Sequence, residues 1–105
     1  MLINAEKLRL DAQQRMALEQ ALRDVNGIVY LFGSRVNAQA RGGDVDVLII
    51  NEDEDKTNLE LILKITRSYQ QLCDERIDET VYPVRQKQSQ EQKDFFNHIQ
   101  KVRIK

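Results

Sequence analysis

Two aspartates, Asp44 and Asp46, stand one residue apart at the head of an apolar run, Asp44-Val45-Asp46-Val47-Leu48-Ile49-Ile50. A β-branched run of this length bounded by glycine reads as a buried strand. Side chains alternate between the faces of a strand, so the two carboxylates point the same way, roughly 6–7 Å apart along the chain. Val45, Val47 and Ile49 take the other face. A buried strand gains no stability from such a pair, because neighbouring carboxylates repel and neither ionises comfortably without a cation. A divalent metal removes the conflict, and oxygen ligands on a hard cation suit Mg²⁺ or Mn²⁺.

A second feature precedes the first. The run Ile28-Val29-Tyr30-Leu31-Phe32 also reads as a strand, and it ends in Gly33-Ser34. Glycine lets the backbone turn tightly or approach a ligand closely. The serine brings a hydroxyl that can cap a following helix. Exposed N–H groups at such a turn favour an anion such as phosphate. One end of the site would hold phosphate and the other the metal that phosphate needs. That is the chemistry of phosphoryl or nucleotidyl transfer from a nucleoside triphosphate.

Gly33-Ser34, the connection 35–43 and Asp44-Val45-Asp46 between apolar flanks resemble the signature of the DNA polymerase β-like nucleotidyltransferase superfamily. The nearest likeness is to its minimal prokaryotic branch, the MNT-type proteins. Those are usually encoded beside a HEPN-domain protein, and several act as its antitoxin. The connection is one residue shorter than in the commonest form of the branch, and Gly43 stands where serine is frequent. The resemblance covers most of the chain. It implies the polymerase β-like fold, with ATP or another nucleoside triphosphate as substrate and two Mg²⁺ ions, or Mn²⁺, as cofactor. Asp44 and Asp46 would hold the metals, and Gly33 and Ser34 would position the triphosphate, with Arg35 beside them. In the family a third acid lies near the start of the third strand, where it helps hold the metal and activates the attacking hydroxyl. Asp78, preceded by Ile77, is assigned that role ahead of Glu79, with plain surface charge as the other reading of both.

The implied activity is transfer of AMP from ATP to a hydroxyl of a partner protein, with a HEPN-type toxin as acceptor and this chain as antitoxin. The alternative is an inactive MNT-like module that neutralises or scaffolds a HEPN partner by contact. A third reading, a small-molecule nucleotidyltransferase of the aminoglycoside type, usually requires an added domain.

The elements that would carry these residues follow from periodicity. Asp11 caps a helix running to about Val25, with Leu18, Leu22 and Val25 inward and Asn26-Gly27 at its end. Residues Arg35 to Ala40 read as a short helix. Arg35 and Arg41 bracket it, and either guanidinium can reach a triphosphate. Gly42-Gly43 bends the chain into the second strand. The acidic run Asn51 to Asp55 lies at the far end of that strand and reads as a solvated loop. Thr57 and Glu60 form a capping box for a helix with Leu59, Ile62, Leu63, Thr66, Tyr69 and Cys73 on one face.

The third strand, Arg76 to Val84, puts Ile77, Glu79, Val81 and Pro83 on one face and Asp78, Thr80 and Tyr82 on the other. Ser89 and Gln92 form a second box, opening a helix with a stripe of Phe95, Phe96, Ile99 and Val102. His98 reads as structural, and the basic tail Lys101 to Lys105 as frayed or docked on a partner. The order predicts an α/β (α+β) domain, a small mixed β-sheet with helices on one face.

Length and composition bound the rest. A chain of 105 residues with a net charge of −1 fits one domain, 1–105, with a modest core. The near-neutral charge argues against general nucleic-acid binding. Cys73 is the sole cysteine, which excludes an internal disulfide and predicts a reducing, cytoplasmic setting. The segment MLINAEKLRLDAQQR lacks the apolar core of a signal peptide, and no apolar run is long enough to cross a membrane. The oligomeric state stays open, a homo-oligomer included.

Overall fold

The computed structural model describes residues 2–36 and 44–105. The expected helix beyond Val36, Arg41 and the Gly42-Gly43 bend lie outside the described residues. The elements are α1 (Ala12–Leu22), β1 (Gly27–Phe32), a 3-10 turn (Gly33–Val36), β2 (Val45–Asn51), α2 (Asn58–Gln70), β3 (Ile77–Tyr82), α3 (Gln90–His98) and β4 (Lys101–Arg103).

Each helix starts where its sequence supplies a reciprocal cap. Asp11, Thr57 and Ser89 accept from the backbone N–H three residues on, and Gln14, Glu60 and Gln92 reach back to the capping residue's N–H. Such caps satisfy donors that a helix end leaves open, at about 1 kcal/mol each. Gln14 is almost fully buried, and beyond the cap its amide donates to Glu75 at 2.6 Å.

The four strands form one mixed sheet in the order β3-β2-β1-β4. β1 runs antiparallel to both β2 and β4, and β2 runs parallel to β3. Gly27, at φ +150°, opens β1 where an added Cβ would collide with the Ile50 carbonyl. The register places Val29, Leu31, Val45, Val47 and Ile49 on one face, all fully buried. α1 and α2 cover that face with Ala17, Leu18, Leu22, Leu61, Ile65 and Tyr69. Ala17 and Ala21 allow close helix contact, and the Gln20 amide donates to the Ser68 carbonyl at 3.1 Å across it. Cys73 is buried in the same core, as packing predicts.

The opposite face carries Ile28, Tyr30 and Phe32 from β1, Asp46, Leu48 and Ile50 from β2, and Asp78, Thr80 and Tyr82 from β3. α3 meets this second face, across the sheet from α1 and α2, so the helices cover both faces rather than the one expected, because Tyr30 and Phe32 give the second face an apolar surface of its own. Phe96 stands edge-on to Tyr30 at 5.2 Å, and Phe95 to Phe32 at 5.9 Å. Such pairs contribute about 0.5–1.5 kcal/mol beyond their buried area.

Three local expectations change. The inward stripe of α2 is Leu61, Ile65 and Tyr69, while Leu59 and Leu63 are exposed. Leucines fill both sides of this helix, so apolar spacing alone did not choose the face. The last helix ends at His98, short of Val102. The tail is β4 rather than a frayed end, held because β1 had an open edge, and Val29 also exchanges hydrogen bonds with Ile104 and Lys105. Among the described residues no helix is long and apolar enough to cross a membrane.

Candidate active site

Asp46 lies second in β2 and Asp78 second in β3, and the parallel register sets them side by side. Asp44 immediately precedes β2 and is part-exposed. Strand alternation brings the three carboxylates to one end of the second face. Glu79, one residue on, points the other way: the Thr66 hydroxyl of α2 donates to both its carboxylate oxygens, at 2.9 Å each. The two candidate third acids are therefore separated by the sheet itself. Burial raises the Glu79 carboxyl, the Thr66 bond opposes the shift, and the Asp78 charge adds to it.

The surroundings of Asp46 disfavour its charge. Burial raises its carboxyl above the ordinary range, and the charges of Asp78 and then Asp44 push the same way. Arg76 relieves part of the crowding. Its Nη2 stands 3.2 Å from Asp78 Oδ1, and its Nε 3.7 Å from Asp44 Oδ2. The guanidinium is three-quarters exposed, so this contact is worth at most about 1 kcal/mol.

Among the described residues no three His, Cys, Asp or Glu side chains already converge as a metal cage. What the three share is chemical type, carboxylate oxygens on one face of the kind a hard divalent cation takes, one of them disfavoured by burial and then by its neighbours' charge, with an exposed arginine across the other two.

Gly33 adjoins this end of the sheet. Phe32 pairs with Asp46 across β1 and β2, and Gly33 follows at φ +74°. A Cβ built on it would meet Asp46 Oδ2 at 2.7 Å. The turn expected to receive phosphate and the carboxylate expected to receive metal are thus in direct contact. Arg35 belongs to the same turn, but its Nη1 donates to the Arg9 carbonyl at 3.2 Å. Its charge also reaches Tyr69, which belongs to the α1–α2 core. The Arg9 guanidinium in turn donates to the Ser34 carbonyl at 3.3 Å, tying the turn to the N-terminal segment.

Two residues at this site, Arg76 and Phe95, read in the sequence only as a strand position and part of a helix stripe. Arg76 precedes Asp78 by two, on the same side of the strand, and that spacing was the available signal. Phe95 borders the Gly33-Ser34 turn through a cleft that no local pattern could have shown.

Other titratable groups lie elsewhere. His98 is on α3 with its Nδ1 2.6 Å from the Asp94 carbonyl. The acidic loop closes on itself, Asn51 accepting from the Asp53 N–H at 2.9 Å and Asp53 from the Asp55 N–H at 3.0 Å. A cavity of about 360 Å³ under Phe96, between Ile28 and Val84, sits at the other end of the sheet from Asp46. Compared with protein-family models and with curated proteins, the chain matches none.

Proposed function

We propose that this chain is a metal-dependent nucleotidyltransferase that moves AMP from ATP to a hydroxyl of a partner protein. The observation that carries the reading is the shared end of the sheet: Asp44, Asp46 and Asp78 on one face, with Gly33 in contact with Asp46. Each residue has a role. Gly33 and Ser34 receive the triphosphate at the turn that packs against Asp46, since N–H groups at such a turn favour an anion. Asp44 and Asp46, with Asp78, hold Mg²⁺, which supplies charge neutralisation on the triphosphate oxygens. Asp78 takes the proton of the acceptor hydroxyl. The hydroxyl oxygen bonds to the α-phosphorus, the α–β bridging P–O bond breaks, and pyrophosphate leaves.

We read the acceptor as a hydroxyl on a second protein, and the resemblance to MNT-type proteins suggests a HEPN-type toxin with this chain as antitoxin. The test is transfer of label from α-labelled ATP to a co-purified HEPN-domain protein. Label on the partner with wild type, and none with Asp44→Ala/Asp46→Ala, supports the reading. Equal labelling by both proteins contradicts it.

Two observations favour a second reading, a module that neutralises its partner by contact. Arg76 already offsets Asp44 and Asp78 without a metal, and Leu59 and Leu63 lie exposed on α2. Under that reading the double alanine variant neutralises the partner as well as wild type does.

A further inference from the structure

The Gly33-Ser34 turn opens on one side to the carboxylates and on the other to a cleft. That cleft has a volume of about 340 Å³ and is lined by Phe32, Gly33, Ser34, Phe95, Ile99 and Gln100. Its walls are mainly apolar. Phe95 is 41 % exposed despite its edge contacts with Phe32 and Tyr82, so much of the ring faces open space. Gln100 follows the C-cap of α3, exposed, and its carboxamide makes no hydrogen bond to the described residues. A shallow, mainly apolar cleft with an unengaged amide at its rim, adjoining the Gly33-Ser34 turn, has the chemistry of a nucleobase site.

We infer that this cleft takes the adenine of the nucleoside triphosphate, with Phe95 and Ile99 against the ring and Gln100 reading its edge. The inference rests on the nucleotidyltransferase reading and adds to it the base-recognition residues. A carboxamide sets one donor beside one acceptor. The N6/N7 edge of adenine is the complement of that pair, whereas the O6/N7 edge of guanine offers two acceptors and leaves the Gln100 carbonyl facing an oxygen. The position also gives the site a direction. The nucleoside lies on the β1–β4 side, because Phe32 pairs with Lys101 of β4. The acceptor then approaches from the β3 side, past Asp78 and Arg76.

The experiment titrates ATP, GTP and inorganic tripolyphosphate, each with Mg²⁺, into wild type, Gln100→Leu and Phe95→Ala, with thermal melts confirming that each variant is folded. Wild type is expected to bind ATP about five- to tenfold more tightly than GTP, and Gln100→Leu to lose that preference, as a lost bidentate base contact implies. Phe95→Ala is expected to weaken both nucleotides by about fivefold or more while leaving tripolyphosphate unchanged, the signature of lost stacking. ATP, GTP and tripolyphosphate binding alike to wild type overturns the base site but leaves the phosphate and metal reading standing. Unaltered discrimination in Gln100→Leu also overturns it. Binding of none of the three overturns the nucleotidyltransferase reading and this inference together.

Discussion

Gly33 and Asp46 are packed so closely that a single β-carbon on Gly33 would stand 2.7 Å from Asp46 Oδ2. The turn that ends β1 and the carboxylate that begins β2 are built as one unit. Gly33→Ala tests this. The residue sits at φ +74°, where an L side chain costs about 1–2 kcal/mol. The variant should lose roughly that much stability in urea denaturation and should also displace Asp46. Loss of Mg²⁺-dependent nucleotide binding beyond the loss of stability is the expected result.

Arg76 spans Asp44 and Asp78. A fixed positive charge there opposes a divalent cation at the same carboxylates. Arg76→Gln should therefore bind Mn²⁺ about three- to tenfold more tightly at low salt, with the difference shrinking as salt is added. Electron paramagnetic resonance of free Mn²⁺ measures it directly. Unchanged or weaker binding would mean that Arg76 and the metal do not compete.

The raised carboxyl of Asp46 carries a pH dependence. Its causes are burial, then the charges of Asp78 and Asp44. The folded protein holds this proton more tightly than the unfolded chain does. The stabilising contribution is therefore full below the ordinary aspartate pKa and is lost as pH rises through the raised value. Asp46→Asn removes the conflict. In metal-free buffer it should be more stable than wild type at neutral pH, and the two should converge near about pH 3, where the carboxyl is protonated in both states. Urea midpoints across that range check the sign.

Asp78 and Glu79 are adjacent in sequence but lie on opposite faces, so their variants should differ in kind. Asp78→Asn should leave stability nearly unchanged and lower AMP transfer by about a hundredfold or more, the usual cost of losing a catalytic base. Glu79→Gln keeps an acceptor for the Thr66 hydroxyl and should transfer normally. Thr66→Val, which strips that partner from a half-buried carboxylate, should destabilise the fold by about 1–3 kcal/mol with transfer intact. Paired denaturation and transfer assays separate the two roles.

Period-two alternation placed Asp44 and Asp46 on one face from the sequence, because it requires Val45, Val47 and Ile49 to be buried if the aspartates are not, while Asp78 followed from the family resemblance and its place near the start of the third strand. Capping chemistry made the helix starts legible at Asp11, Thr57 and Ser89, since the signal lies within four residues. The α2 face was not legible, because Leu59 and Leu63 carry the same hydropathy as Leu61, and only contact with α1 chooses between them. β4 was not legible either: Lys101–Arg103 is a strand because the edge of β1 is nearby, a fact of topology. The Arg76 contacts and the Phe95 cleft likewise depend on which strands become neighbours.

On the proposed function, the carboxylates and the Gly33-Ser34 turn form one nucleotide–metal site. Calorimetric titration of ATP into wild type and Asp44→Ala/Asp46→Ala, with and without Mg²⁺, tests it most directly. Wild type is expected to bind ATP only with Mg²⁺, and the variant to lose that binding while its melting curve stays cooperative. Mg²⁺-independent binding, or equal binding by the two proteins, would contradict it.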